Sequence, residues 1–161
     1  MRYTHTVAAL MLSIAAFTAP ALADTTTHVK LLDRGGMMDM SKNMGMGMGM
    51  KGNMKMAIMS IAADKKSVKA GKVTFNVVNA SKETVHEMLV APITGLDATL
   101  PYSVNENRVN EEASGDLGEV SELEPGKGGS LTVDMKPGLY ILYCNITGHF
   151  MAGMWTTLQV K

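Results

Sequence analysis

The sequence predicts an all-β fold, a Greek-key β-sandwich, preceded by a flexible methionine-rich arm. Three observations carry that expectation. From residue 56 onward, stretches of strand length rich in β-branched and aromatic residues recur between Gly/Pro turns. The region before them is dominated by a Met-Gly repeat, which offers a sandwich little to pack. The whole chain has 161 residues, enough for one domain with a hydrophobic core.

Residues 1–23 read as an export signal. Arg2 gives a positive start, Val7 to Phe17 is mostly apolar, and Ala21-Leu22-Ala23 is an A-x-A cleavage sequence. The apolar run is too short to span a bilayer and ends at Pro20, so cleavage after Ala23 and a periplasmic location are expected. No later stretch is long and apolar enough for a transmembrane helix. Lys plus Arg and Asp plus Glu number 15 each, a balance that points to neither nucleic acid nor an anionic membrane as partner.

Residues 24–55 are expected to form the arm. Val29 to Leu32 can be a short strand or stay extended. Nine of the sixteen methionines then fall between Met37 and Met56: Met37, Met38, Met40, Met44, Met46, Met48, Met50, Met54 and Met56. Glycine at every second position makes ordering this backbone costly, so the segment reads as low-complexity chain. One reading is a linker whose methionines form an adaptable contact surface. The other is a scavenging segment, because thioethers select Cu(I) and bind hard cations weakly. His28 reads as a solvated residue or an occasional extra ligand.

The domain proper is expected over residues 56–161. Met56 to Ala62 is an apolar run ended by Asp64-Lys-Lys, and Val68 to Gly71 is a turn. Val73 to Val78 is a strand by composition, followed by a turn at Asn79 to Lys82. Thr84 to Ala91 is another strand, with Val85, Glu87 and Leu89 on one face and His86, Met88 and Val90 on the other. His86 therefore shares an apolar face. Residues 93–115, with Pro101 and a polar run from Asn105 to Glu112, read as an insertion with a helical turn or two and a solvated surface. Leu117 to Leu123, Ser130 to Met135, Leu139 to Cys144 and Trp155 to Val160 are the remaining strands, separated by Gly/Pro turns.

The chemistry gathers in Cys144-Asn-Ile-Thr-Gly-His149-Phe-Met-Ala-Gly-Met154. The chain has one cysteine and four histidines, and this loop holds the cysteine and one of the histidines. An exported chain with a single cysteine forms no internal disulfide, so Cys144 is either a small buried hydrophobe or a metal ligand. Thiolate, imidazole and thioether form a soft ligand set suited to copper. A site with two imidazoles, one thiolate and a weak axial thioether needs one further histidine. His5 leaves with the signal and His28 sits on the arm, so His86 is the remaining core imidazole.

These residues, with Asn79 ahead of His86-Glu87 and the segment Tyr143-Cys144 to Gly153-Met154, make residues 56–161 resemble a cupredoxin. The resemblance implies an eight-stranded Greek-key sandwich and one type 1 copper, with His86, Cys144 and His149 as strong ligands and Met154 as the long axial one. The Cys-x4-His-x4-Met interval is similar to the rusticyanin and sulfocyanin branch. Export signal, methionine arm and core together resemble the periplasmic copper-tolerance cupredoxins called CopI, whose N-terminal segments are rich in Met and sometimes His.

Two functions follow as expectations. One is copper tolerance, with the arm capturing Cu(I) and the core holding copper. The other is electron transfer with a periplasmic redox partner, for which Phe150, Met151 and Ala152 beside His149 offer an apolar docking patch. Catalysis is not expected, since Asn145 rather than histidine follows Cys144 and no nucleophile motif occurs. The chain is expected to be monomeric.

Overall fold

The computed structural model of the chain describes residues 24–33, 47–49 and 57–161. Among these residues the order is β1 (Thr25–Asp33), β2 (Met59–Ala63), β3 (Ser67–Val68), β4 (Gly71–Asn79), β5 (His86–Ile93), β6 (Tyr102–Ser103), β7 (Arg108–Val109), α1 (Glu111–Ser114), β8 (Glu119–Leu123), β9 (Gly128–Met135), β10 (Gly138–Tyr143) and β11 (Trp155–Val160). They form a four-stranded sheet in the order β2-β1-β4-β9 and a five-stranded sheet in the order β3-β11-β10-β5-β8. A small hairpin, β6-β7, stands apart. The expected all-β sandwich is the observed fold.

The strands form where the side-chain pattern matches the pleat. In β4, Val73, Phe75 and Val77 are buried while Lys72 and Val78 face outward, a period of two. Across from it, β9 pairs antiparallel in register, Phe75 opposite Leu131 and Val73 opposite Val133. Between the sheets, Val29, Leu31, Val73, Phe75, Met88, Val90, Leu142 and Leu158 pack into the main core.

Residues 24–33 were expected to belong to the arm, and the structure makes them an interior strand instead. β1 pairs antiparallel with β2, Leu31 opposite Ile61, and parallel with β4, Val29 opposite Val77. It therefore joins two strands that have no other link within that sheet. Val29 and Leu31 are fully buried, and so is Thr27. A buried hydroxyl is costly unless paired, and the Thr27 hydroxyl donates to Asp64 Oδ1 at 2.6 Å. Asp64 Oδ1 also accepts from the His28 N–H at 2.9 Å. These bonds, the Thr27 hydroxyl foremost, hold the Asp64 carboxyl down at about 2. His28 itself is exposed, with Nδ1 3.2 Å from Asp64 Oδ2. Ser67–Val68, which ends on the first residue of the expected turn, pairs parallel with Gln159–Val160 as β3.

In the five-stranded sheet, β5 and β10 are buried on both faces. Met88, Val90 and Leu142 point into the main core. Their neighbours Leu89, Ala91, Ile141 and Tyr143 point the other way, into a second cluster with Met48, Leu100, Val109, Phe150 and Met151. That double burial explains why β5 and β10 read as near-continuous apolar runs rather than clean alternations. Residues 93–115 supply part of the cover. They contain the β6-β7 hairpin and α1, a single turn whose N-cap Asn110 accepts from the Ala113 N–H at 2.9 Å. The expected helical turn is present, but the segment is not simply a solvated surface, because Leu100, Val109 and Ser114 are buried.

Replacing Leu31 with alanine should cost about 2–5 kcal/mol in denaturant unfolding, the usual range for a fully buried leucine. A change within about 0.5 kcal/mol, as expected for an exposed position, would place residues 24–33 outside the folded unit.

Candidate metal centre

The sheet brings its chemistry to one end. β5 begins at His86 and runs antiparallel to β10, which ends at Tyr143, so His86 and Cys144 lie at the same edge of adjacent strands. The chain then turns through residues 144–154 and returns as β11, with Tyr143 opposite Trp155. The turn is closed by the Cys144 N–H donating to the Met154 carbonyl at 3.1 Å. Within it, the His149 N–H donates to Ile146 O at 2.9 Å and the Met154 N–H to His149 O at 3.1 Å. The backbone of the loop is thus tied to itself at both ends and in the middle, which fixes the direction of three side chains.

Two of them, Cys144 and His149, converge with His86. Cys144 Sγ lies 3.3 Å from His149 Nδ1, and His149 Nδ1 lies 3.3 Å from His86 Nδ1. One donor atom from each residue falls within 4.8 Å of the others. The two rings meet edge to face, centroids 5.1 Å apart. His86 and Cys144 are completely buried and His149 is 6% exposed. Met154 is also completely buried and packs in the same core cluster as Cys144.

Burial sets the electrostatics. It disfavours every charged form here. Desolvation pushes the Cys144 thiol up to about 12 and both imidazoles down to about 4, with the neighbouring ring adding to the effect at His149. Neutral imidazoles present lone pairs, and two Nδ1 atoms facing each other have room for one shared proton at most. A soft cation would engage both lone pairs and supply the charge a buried thiolate needs. His86 Nε2, turned away from the cluster, is buried without a hydrogen-bond partner. With Nδ1 aimed inward, that nitrogen is where the proton of a ligating tautomer would sit. Two imidazoles, one thiol and a buried thioether nearby therefore fit a soft-metal site on chemical grounds.

Two supporting residues were not evident in the sequence. Glu87, 7% exposed, accepts from the Asn145 N–H at 3.1 Å and so joins the two ligand segments. Burial first, then the carboxylates of Glu119 and Glu111, pushes its carboxyl up to about 7. The period-two reading placed Glu87 opposite His86 on β5, but that other face carried no sign of being covered. Asn145, completely buried, had no signal beyond its place after Cys144.

The expected docking patch is corrected by the structure. Phe150, Met151 and Ala152 are 1%, 8% and 1% exposed. Ala152 belongs to the main core, while Phe150 and Met151 are covered in part by residues 47–49. Met48 is 1% exposed and sits in the second core cluster with Phe150 and Met151. A Cβ on Gly47 would lie 2.8 Å from Phe150 Cε1, and Gly49 has φ +75° with the Ala98 carbonyl 2.7 Å from where its Cβ would stand. Only glycine allows this approach. Met48 was expected among the free thioethers of the arm; it is a core residue instead. Met37, Met38, Met40, Met44, Met46, Met50, Met54 and Met56 lie outside the described residues. No helix among the described residues is long and apolar enough to cross a membrane.

No protein-family model matches the sequence, and no curated protein matches it. Solved structures do. Rusticyanin from Thiobacillus ferrooxidans is 15% identical with a TM-score of 0.55, over 86% of this chain and 77% of its own. Auracyanin B is 18% identical with a TM-score of 0.54, over 89% of this chain and 93% of its own. A structure described as the copper protein rusticyanin superposes with a TM-score of 0.54 at 16% identity, over 86% of this chain and 78% of that one. At such identities the likeness speaks to architecture, and the architecture is the cupredoxin fold.

Met48→Ala should destabilise the protein by about 2–5 kcal/mol, whereas Met48→Leu, which keeps volume, should cost less than about 1.5 kcal/mol. Denaturant unfolding of both variants checks this. An Ala variant as stable as the parent would remove Met48 from the core.

Proposed function

We propose that the chain is an exported, periplasmic cupredoxin that holds one type 1 copper on His86, Cys144, His149 and Met154, and that it acts in copper tolerance. The observation that carries the reading is the convergence of two imidazole Nδ1 atoms and one thiol sulfur, 3.3 Å apart in sequence of contact, in a fully desolvated pocket. When bound, copper supplies a one-electron couple and a strong thiolate charge-transfer colour. The chain's own residues do the rest. The neutral imidazoles offer lone pairs without a deprotonation cost, the buried thiol gives up its proton only in exchange for a cation, and the closed loop keeps water from the donor atoms.

Copper tolerance is favoured over electron transfer by two features. The apolar residues expected to meet a redox partner are buried, Phe150 and Met151 beside Met48 and Ala152 in the main core. The methionine run that surrounds Met48 in sequence is a ligand type selective for Cu(I). In this reading the arm captures Cu(I) and the sandwich retains it. Electron transfer with a periplasmic partner is the second reading, favoured by a ligand loop whose backbone is tied to itself by hydrogen bonds, since a site held in place suits a metal that changes oxidation state.

The chain from Asp24 onward, given one equivalent of Cu(II), should turn intensely blue or green, and Cys144→Ala should abolish the colour. A colourless one-to-one complex would contradict the type 1 assignment. In cells, removing the gene or residues 34–46 should sensitise growth to excess copper while respiratory electron flow stays normal. Impaired respiration with unchanged copper resistance would instead support the second reading.

A further inference from the structure

Asn145 uses every hydrogen-bonding group it has. Its N–H donates to Glu87 Oε1 at 3.1 Å, and its carbonyl accepts from Arg108 Nε at 3.2 Å. Its side-chain Oδ1 accepts from the Val109 N–H at 2.7 Å. Its Nδ2 donates to the Val109 carbonyl at 2.9 Å and to Glu111 Oε1 at 2.7 Å. The side chain thus makes a two-way amide pairing with the backbone of Val109, much as a neighbouring strand would. A buried amide with all its groups satisfied is directionally rigid.

The same insertion grips the loop at two more points. The Gly148 N–H donates to the Asn107 carbonyl at 2.8 Å. Ser114 Oγ lies 3.3 Å from the Tyr143 hydroxyl. Residues 143, 145 and 148 therefore touch the segment 107–114, and these positions flank Cys144 on both sides and precede His149 directly. The segment is itself anchored: Val109 is 2% exposed in the second core cluster, and the Tyr102 hydroxyl donates to Asn107 Oδ1.

We infer that Asn145 and residues 107–111 form an outer clamp that positions the Cys144 sulfur and the His149 ring, and through them sets the affinity and spectroscopic character of the bound metal. The inference rests on the copper reading above. Donor positions must hold within about 0.5 Å for a site to keep its properties, and the loop's own backbone bonds leave Asn145 and the Gly148 N–H to be fixed from outside. Asn145 is a positioning residue. It offers no donor to the cluster itself, since all its polar groups are engaged elsewhere.

Asn145→Ala removes the amide and leaves the Val109 N–H and carbonyl unpaired; Glu111→Ala, at an exposed position, removes one bond and should fold normally. Both variants, loaded with one equivalent of copper, should keep one-to-one stoichiometry, shift the thiolate absorption band and the Cu(II) electron paramagnetic resonance, and bind Cu(I) more weakly. The loss for Asn145→Ala should be about ten- to a hundredfold, as for other residues that orient metal ligands. Glu111→Gln, which keeps an oxygen acceptor, should restore the parent spectrum. Leu31→Ala controls for stability alone: it lowers stability from a strand of the other sheet, with no hydrogen bond to the loop, and should leave band and affinity unchanged. Parent-like spectra and affinities in both clamp variants, or an equal shift in Leu31→Ala, would overturn the inference. A parent chain that shows no thiolate band at all defeats the copper reading separately. The clamp is then read in the metal-free chain by amide hydrogen exchange, where loss of protection confined to residues 144–149 in the clamp variants supports it and unchanged protection overturns it.

Discussion

Burying a thiol and two imidazoles together at the end of an apolar sandwich is the constraint on which the rest of the structure depends. Each group loses water that it would otherwise bind, and an ionised form of any of them has no charge partner within the cluster. His86 and Cys144 are completely buried and His149 nearly so, and their inward donor atoms meet one another, the Cys144 sulfur also meeting the backbone of Glu87 and Ile146. Such an arrangement is an expensive way to fill a core with side chains. It makes sense where a cation is the missing partner, and then the desolvation that penalises the free thiolate strengthens its hold on the ion.

Keeping that end of the fold dry takes more than the two sheets. The strands that present His86 and Cys144 are covered on their second face by Leu100, Val109, Phe150, Met151 and Met48. Residues 93–115 and the short passage at 47–49 therefore do related work from opposite directions in the sequence. One brings hydrogen bonds to the loop; the other fills the apolar space beside it, with Gly47 and Gly49 permitting the close approach. Tyr143, whose ring meets Phe150 edge to face at 5.9 Å, stands where the two coverings join. Its hydroxyl is pushed up to about 12, chiefly by that burial, so it stays a neutral hydrogen-bonding group.

The sandwich and the convergence of His86, Cys144 and His149 were legible in the sequence because both follow from local signals. Alternation marked β9, β-branched, aromatic or apolar runs between Gly/Pro turns marked β4, β5, β10 and β11, and the Cys144–Met154 spacing marked the loop. What escaped notice depends on distant partners. Thr27 looked like polar arm until Asp64, far along the chain, satisfied its hydroxyl inside the sheet. Met48 looked like one more repeat methionine, because nothing in a Met-Gly run distinguishes the residue that finds a cavity from its neighbours. Asn145 and Glu111 are ordinary polar residues in isolation, and their pairing at 2.7 Å exists only once the insertion folds back over the loop. Phe150 and Met151 were read as surface for the same reason: part of their cover comes from a Met-Gly repeat that reads as unpacked chain.

The central claim is that these four side chains form one copper site, and diffraction from crystals of the copper-loaded chain, recorded at the copper absorption edge, tests it most directly. The account predicts a single strong anomalous peak bounded by His86 Nδ1, His149 Nδ1 and Cys144 Sγ, with the Met154 sulfur facing it. A peak on Nε2 of either histidine, or copper found only at methionines before residue 57 with the Cys144 pocket unchanged, would contradict it.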